Sequence, residues 1–311
     1  MNCNSGQMKT TVLFLIVLWP AISLSGKPFP NSHFVWVDDV AMHYRLWEGE
    51  SPGERQSVLL VHGFAGSTYS WQQVADSLHQ LGYHVVAVDV PPFGYSDKSA
   101  RINQSVTARA ALLHSLLQQE FPGRRWHLAG HSMGGAIVQA MALMFPEDLV
   151  SLTLVAPTLF WSITAGERAT PLLLKVPGVT SFLGNMAENW LITPALVERL
   201  LQSAYGQQPD RADVKAYLQP LRVPGTARAI LNSPRHYVEI ADISSDSLSV
   251  PGIAIWGDQD TWVPLEAHQS VADNLPSIQL DVIQNAGHNP METHFDAFME
   301  IWLGYLRAFD R

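Results

Sequence analysis

Two rhythms of apolar and polar positions alternate along most of the chain. Residues His33–Val37 and Met42–Trp47 each alternate, with Asp38-Asp39 between them, which predicts a β-hairpin. Short apolar runs then predict buried strands at Ser57–Val61, Val85–Val88, Trp126–Ala129 and Leu149–Val155. Between these runs the apolar spacing is helical. Over Ser70–Leu81 it places Trp71, Val74, Leu78 and Leu81 on one side, and Gly82 closes the helix. Ala108–Gln119 and Ala136–Met144 are predicted helices as well, the latter stopping before Pro146. Strands that are apolar along their whole length, with helices between them, indicate a parallel sheet covered on both faces. Right-handed crossovers then favour a doubly wound α/β layout.

The rhythm breaks at Thr158. From there to about Tyr237, prolines from Pro171 to Pro234 punctuate short helical stretches such as Ala195–Ala204, with no clear buried strand. The α/β pattern returns after Val250. Gly252–Trp256 and Ile278–Ile283 are predicted strands, and Leu265–Asn274 and Phe295–Arg307 predicted helices. The expected organisation is one α/β core over 26–157 and 238–311. A helical insertion over 158–237 interrupts it and is far longer than an ordinary loop.

The N-terminus follows another pattern. Val12–Leu24 is almost wholly apolar, Lys9 precedes it, and Ser23 and Ser25 supply small residues at the exit. A short positive region, an apolar run and a small-residue exit are the marks of a secretory signal peptide, here residues 1–25 with cleavage after Ser25. Export to the periplasm or the medium is the expected destination. The alternative is an uncleaved membrane anchor, but the run is shorter than the roughly 20 residues that a span requires and it contains Pro20.

Composition narrows the function. Charged residues make up 15% of the chain against the usual roughly 25%, so it can bury a large core rather than remain disordered. The formal charge of −9, with no basic run, argues against a nucleic-acid partner. Cys3 is the lone cysteine, which excludes a disulfide scaffold and a cysteine-based zinc site. The twelve histidines include no His-Glu-x-x-His, and no metal is expected.

The chemistry concentrates at three loops that follow predicted strands. Gly130-His131-Ser132-Met133-Gly134-Gly135 fits Gly-x-Ser-x-Gly between a strand and a helix. There a tight turn exposes a nucleophilic serine hydroxyl. A serine hydroxyl needs a base, and Ala286-Gly287-His288-Asn289-Pro290 places His288 just after a strand. The imidazole needs an orienting carboxylate, and Trp256-Gly257-Asp258-Gln259-Asp260 supplies Asp260, with Asp258 the rival acid. A tetrahedral oxyanion needs preorganised donors. The Met133 amide, at a helix start, is one candidate; the Phe64 amide, in the loop His62-Gly63-Phe64-Ala65-Gly66, is the second. His62 is expected to brace its loop, and His131 to be structural or pocket-lining, rather than take part in catalysis.

Along the chain the order is Ser132, Asp260, His288, and these residues, with His62-Gly63-Phe64, Asp89–Ser96 (DVPPFGYS) and Gly287–Glu292 (GHNPME), make the chain resemble the α/β-hydrolase superfamily from about residue 33 onward. The resemblance implies an eight-stranded, mostly parallel sheet, a helical cap inserted after the sixth strand, and catalysis without a cofactor. It leaves several subfamilies to weigh. Haloalkane dehalogenases and epoxide hydrolases use an aspartate nucleophile, against which Ser132 stands. Carbon–carbon hydrolases of meta-cleavage products share the Ser-Met-Gly-Gly run but usually carry tryptophan after the catalytic histidine, where this chain has Asn289. Cofactor-free haloperoxidases and perhydrolases have similar triads. The chain most resembles small exported bacterial esterases and lipases. The expectation is therefore a serine hydrolase of hydrophobic carboxylic esters. Apolar residues of the insertion such as Phe160, Trp161, Phe182 and Trp190 are candidates to line an acyl pocket, most of them being expected to pack the cap onto the core, and the insertion is a candidate for contact with a lipid surface. A carbon–carbon hydrolase and a perhydrolase are the alternatives.

Overall fold

The computed structural model describes residues 26–49, 57–99, 101–158, 184, 186–232, 248–266 and 277–309. The expected signal peptide lies outside these residues, as does Phe160-Trp161-Ser162. Most of the predicted helix Leu265–Asn274 is likewise outside them. The chain divides into Met1–Pro30, whose described residues carry no helix or strand, and Asn31–Arg311, treated below.

Eight strands make one sheet in the order β1-β2-β4-β3-β5-β6-β7-β8. They are β1 (Ser32–Val37), β2 (Val40–Trp47), β3 (Ser57–Val61), β4 (His84–Asp89), β5 (Trp126–His131), β6 (Leu149–Val155), β7 (Gly252–Gly257) and β8 (Ile278–Ile283). The pairs β1–β2 and β2–β4 are antiparallel and every other pair is parallel. The apolar runs follow from this layout. Val58 and Leu60 face one side of β3 and join a core with Val74 and Leu78 of α1 (Gln72–Gln80) and Phe298 and Trp302 of α8 (Phe295–Leu306). Leu59 and Val61 face the other side. They join Leu113 and Leu116 of α2 (Val106–Glu120) and Ile137 and Met141 of α3 (Met133–Met144). A central strand buried on both faces has no polar position to alternate with.

β3 pairs with both β4 and β5, so the chain winds outward in one direction and then crosses back to the other side. In open α/β sheets ligands bind beyond the carboxyl ends of the strands where the order reverses. The loop after β3 and the turn after β5 flank that point.

Between β6 and β7 the described residues are helical. A π-helical turn covers Ala187–Leu191. It is followed by α4 (Pro194–Tyr205), α5 (Arg211–Leu221) and α6 (Thr226–Asn232). The prolines sit where helices tolerate them. Pro194 opens α4 behind the Thr193 cap, whose hydroxyl accepts from the Leu196 amide, and Pro220 falls in the last turn of α5. Val197, Leu201, Ala204, Tyr205 and Tyr217 form a small core of their own between α4 and α5. A short helix, α7 (Pro290–Thr293), stands between β8 and α8. No helix among the described residues is long and apolar enough to cross a membrane.

Candidate active site

Ser132 sits between the last residue of β5 and the first of α3, with φ +50° and ψ −117°. A non-glycine residue held at positive φ stores of order 1–3 kcal/mol and persists only where its surroundings over-determine it. Here the Ser132 amide donates to the Val155 carbonyl at 2.9 Å, and its carbonyl accepts from the amides of Gly135 at 2.9 Å and Thr158 at 3.0 Å. These bonds leave the helix no room to begin earlier. α3 starts at Met133, three residues before the predicted start, despite the low helix propensity of Gly134 and Gly135. The loop after β3 runs beside this turn: a methyl group on Gly63 would lie 3.1 Å from the Ser132 Cβ.

His288 lies in the loop between β8 and α7. Its Nδ1 is 2.8 Å from Asp260 Oδ2, and both side chains are buried. With Nδ1–H donating to the carboxylate, Nε2 is the basic nitrogen of the neutral ring. The other oxygen, Asp260 Oδ1, accepts from the amides of Trp262 at 2.8 Å and Val263 at 2.9 Å, so the carboxylate cannot turn away. Asp258 does different work. Its Oδ1 accepts from the Asn285 amide at 2.6 Å, tying the loops after β7 and β8 together. Of the two acids, the fold brings Asp260 to the imidazole.

The ring of His131 lies 4.7 Å from that of His288 between centroids, and its Nε2–H donates to the His288 carbonyl at 2.9 Å. His131 thus joins the Ser132 turn to the His288 loop. Burial, and then the neighbouring His288, push its ionisation well below the usual histidine range, so it acts as a neutral donor. His62 is also a brace: Nδ1–H donates to the Gly63 carbonyl at 2.7 Å and Nε2 accepts from the Val90 amide at 3.0 Å. Met133 stands in the first turn of α3, where backbone amides lack intrahelical acceptors and the helix dipole is positive. The Phe64 ring is half exposed and meets Phe93 edge-on at 5.1 Å. Among the described residues no group of three or more His, Cys, Asp and Glu side chains is gathered as a metal site requires.

The family described as alpha/beta hydrolase fold matches residues 56–295, most of the chain. The chain is an α/β hydrolase. It is 28% identical over 243 residues to "Lipase 3" of Moraxella sp. (strain TA144), covering 76% of this chain and 72% of that one. It is 24% identical over 286 residues to the 2-hydroxy-6-oxononadienedioate/2-hydroxy-6-oxononatrienedioate hydrolase of Burkholderia vietnamiensis (strain G4 / LMG 22486), covering 89% and 96%. A crystal structure described as a membrane phospholipase A, a bacterial virulence factor, superposes with a TM-score of 0.67 at 25% identity, covering 89% of this chain and 86% of that one.

Sequence reasoning missed a buried Ser–His–Asp chain elsewhere in this α/β hydrolase, Ser32–His43–Asp89. His43 Nδ1 is 2.6 Å from Asp89 Oδ2, and His43 Nε2 is 2.8 Å from Ser32 Oγ. All three residues are fully buried, so no substrate can reach them. Asp89 is instead a structural hub: Oδ1 accepts from the Thr68 amide and Oδ2 from the Tyr95 amide. The signal was present only as a register, because His43 and Asp89 are partners across the antiparallel pair β2–β4. Trp190 departs from the expected cap–core packing: it is 78% exposed.

Proposed function

We propose that this hydrolase cleaves carboxylic esters through an acyl-enzyme, with Ser132 as nucleophile, His288 as base and Asp260 as its orienting acid. The observation that carries this reading is the buried Asp260–His288 contact at 2.8 Å, next to a serine held at positive φ on a strand-to-helix turn. His288 Nε2 takes the Ser132 proton as Oγ attacks the acyl carbon. The oxyanion accepts from the amides of Met133 and Phe64. As the intermediate collapses, His288 gives the proton to the leaving alcohol. Water then attacks the acyl group, His288 takes its proton, and the acid leaves Ser132 free.

Hydrophobic esters are the favoured class, supported by the Phe64–Phe93 pair beside the serine turn and by the similarity to a lipase. In the same reading residues 158–237 form the cap, and 1–25 direct export, which rests on the apolar run Val12–Leu24 between Lys9 and the small Ser23 and Ser25. The similarity to a carbon–carbon hydrolase over most of both chains favours one second reading, the same triad acting on a vinylogous diketone.

One pair of measurements tests both. A fluorophosphonate should label the native enzyme stoichiometrically and leave Ser132→Ala unlabelled; a fully labelled variant removes Ser132 from the mechanism. Turnover of p-nitrophenyl esters should exceed that of a 2-hydroxy-6-oxo-dienoate, and the reverse order selects the second reading.

A further inference from the structure

We propose that the helix pair α4–α5 is part of the mount of the His288 imidazole, and that Glu292 is the positioning residue that joins the pair to the His288 loop. This rests on the reading of His288 as the base. The last turn of α4 grips the two loops of the candidate site at three consecutive residues. Ser203 Oγ accepts from Trp262 Nε1 at 3.0 Å, and the Trp262 indole stacks on the His288 ring at 5.5 Å with 23° between planes. The Ala204 carbonyl accepts from the His288 amide at 2.7 Å. Tyr205 Oη donates to Glu292 Oε2 at 2.9 Å. The approach is so close that a methyl group on Gly287 would meet Tyr205 backbone atoms at 2.8 Å.

Glu292 closes the arrangement from below. Its Oε1 accepts from Tyr217 Oη of α5 at 2.7 Å and from Asn289 Nδ2 at 2.6 Å, and Ser70 Oγ shares the Tyr217 hydroxyl at 2.8 Å. One carboxylate therefore accepts from α4, from α5 and from the residue after His288. An ionised carboxylate is a pure acceptor toward all three donors, and protonation turns one oxygen into a donor that faces a donor and weakens the set. The titratable groups that face it are Tyr205 from α4, and Tyr217 and Asp213 from α5. Tyr69 reaches the same cluster by donating to Asp213 at 2.8 Å. Burial pushes the Glu292 carboxyl up to about 7; the bonds from Asn289, Tyr217 and Tyr205 oppose that rise, and Asp213 adds to it. The mount therefore loosens as the solution turns acid.

The test uses the full-length enzyme and a soluble p-nitrophenyl ester followed by pH-stat. kcat and KM are measured between pH 5.5 and 9 for native enzyme, Glu292→Gln and Tyr217→Phe. Native kcat should show, besides the ionisation of the base, a second one near pH 7 that Glu292→Gln lacks. At pH 8 Glu292→Gln should lose about tenfold to a hundredfold in kcat with KM unchanged, the upper end being the cost of a reacting group misplaced by about 1 Å. Tyr217→Phe, which removes one hydroxyl and keeps the ring, should lose less, again in kcat alone; it carries the test if Glu292→Gln does not fold. Superimposable acid limbs, or effects confined to KM, overturn the proposal. Fluorophosphonate labelling separates the two layers. Slower labelling of Ser132 in the variants supports the mount, labelling at the native rate overturns it, and an unlabelled native enzyme overturns the base assignment itself.

Discussion

Asp260 shows how one side chain can decide the state of another. Its Oδ1 is held by two backbone amides, so only Oδ2 can meet the imidazole, and it does so as a pure acceptor. Asp260→Asn keeps the shape but can present a donor to His288 Nδ1, which then places the ring proton on Nε2, the wrong tautomer for a base. Ester turnover should fall by roughly 10⁴-fold while the fold survives. Asp258→Asn, which touches only the Asn285 amide, should leave turnover near native. Equal losses in the two variants would remove the distinction between the acids. Ser132, Asp260 and His288 were legible in the sequence because each follows a strand and each carries a residue type the reaction demands. Glu292 was not legible as a positioning group. Its tyrosine partners lie 75 and 87 residues away in a segment whose own pattern announced only helices.

Elements were legible where burial imposes a pattern. Mostly apolar runs marked β3 through β7 because these strands are covered on both faces, and Leu59 and Leu60 serve opposite cores. Element ends were less legible where a tertiary bond decides them, as at Met133. The buried Ser32–His43–Asp89 chain was invisible because it depends on the pairing of β2 with β4 rather than on any local motif. The described helices between β6 and β7 carry their own apolar surface. Trp190 and Leu191 on the π-helical turn, and Leu196 and Leu200 one turn apart on α4, are all exposed.

At the scale of the whole molecule, the buried histidines set the acid limit of stability. Burial pulls His84 and His127 down to about 4, with Arg124 and Arg125 respectively adding to the effect, and it lowers His62 and His131 as well. A histidine whose folded ionisation is depressed binds its proton more readily in the unfolded chain. Stability is therefore full above the unfolded value of about 6.5 and is lost as pH falls from there through the folded values. Glu292 works in the opposite sense, because its raised carboxyl favours the folded state as pH falls through about 7 toward its unfolded value. The thermal midpoint of native enzyme should begin to fall below about pH 6.5, and in Glu292→Gln the fall should be steeper because that compensation is gone. A midpoint flat down to pH 5 would contradict the histidine account. The bond from the His288 amide to the Ala204 carbonyl has a consequence for recombination. A chimaera that exchanges the segment between β6 and β7 for that of another hydrolase, to alter substrate range, also replaces a backbone support of the imidazole. Donor segments should be chosen by whether their helix ends where Ser203–Tyr205 ends, before the shape of the pocket they would build is considered.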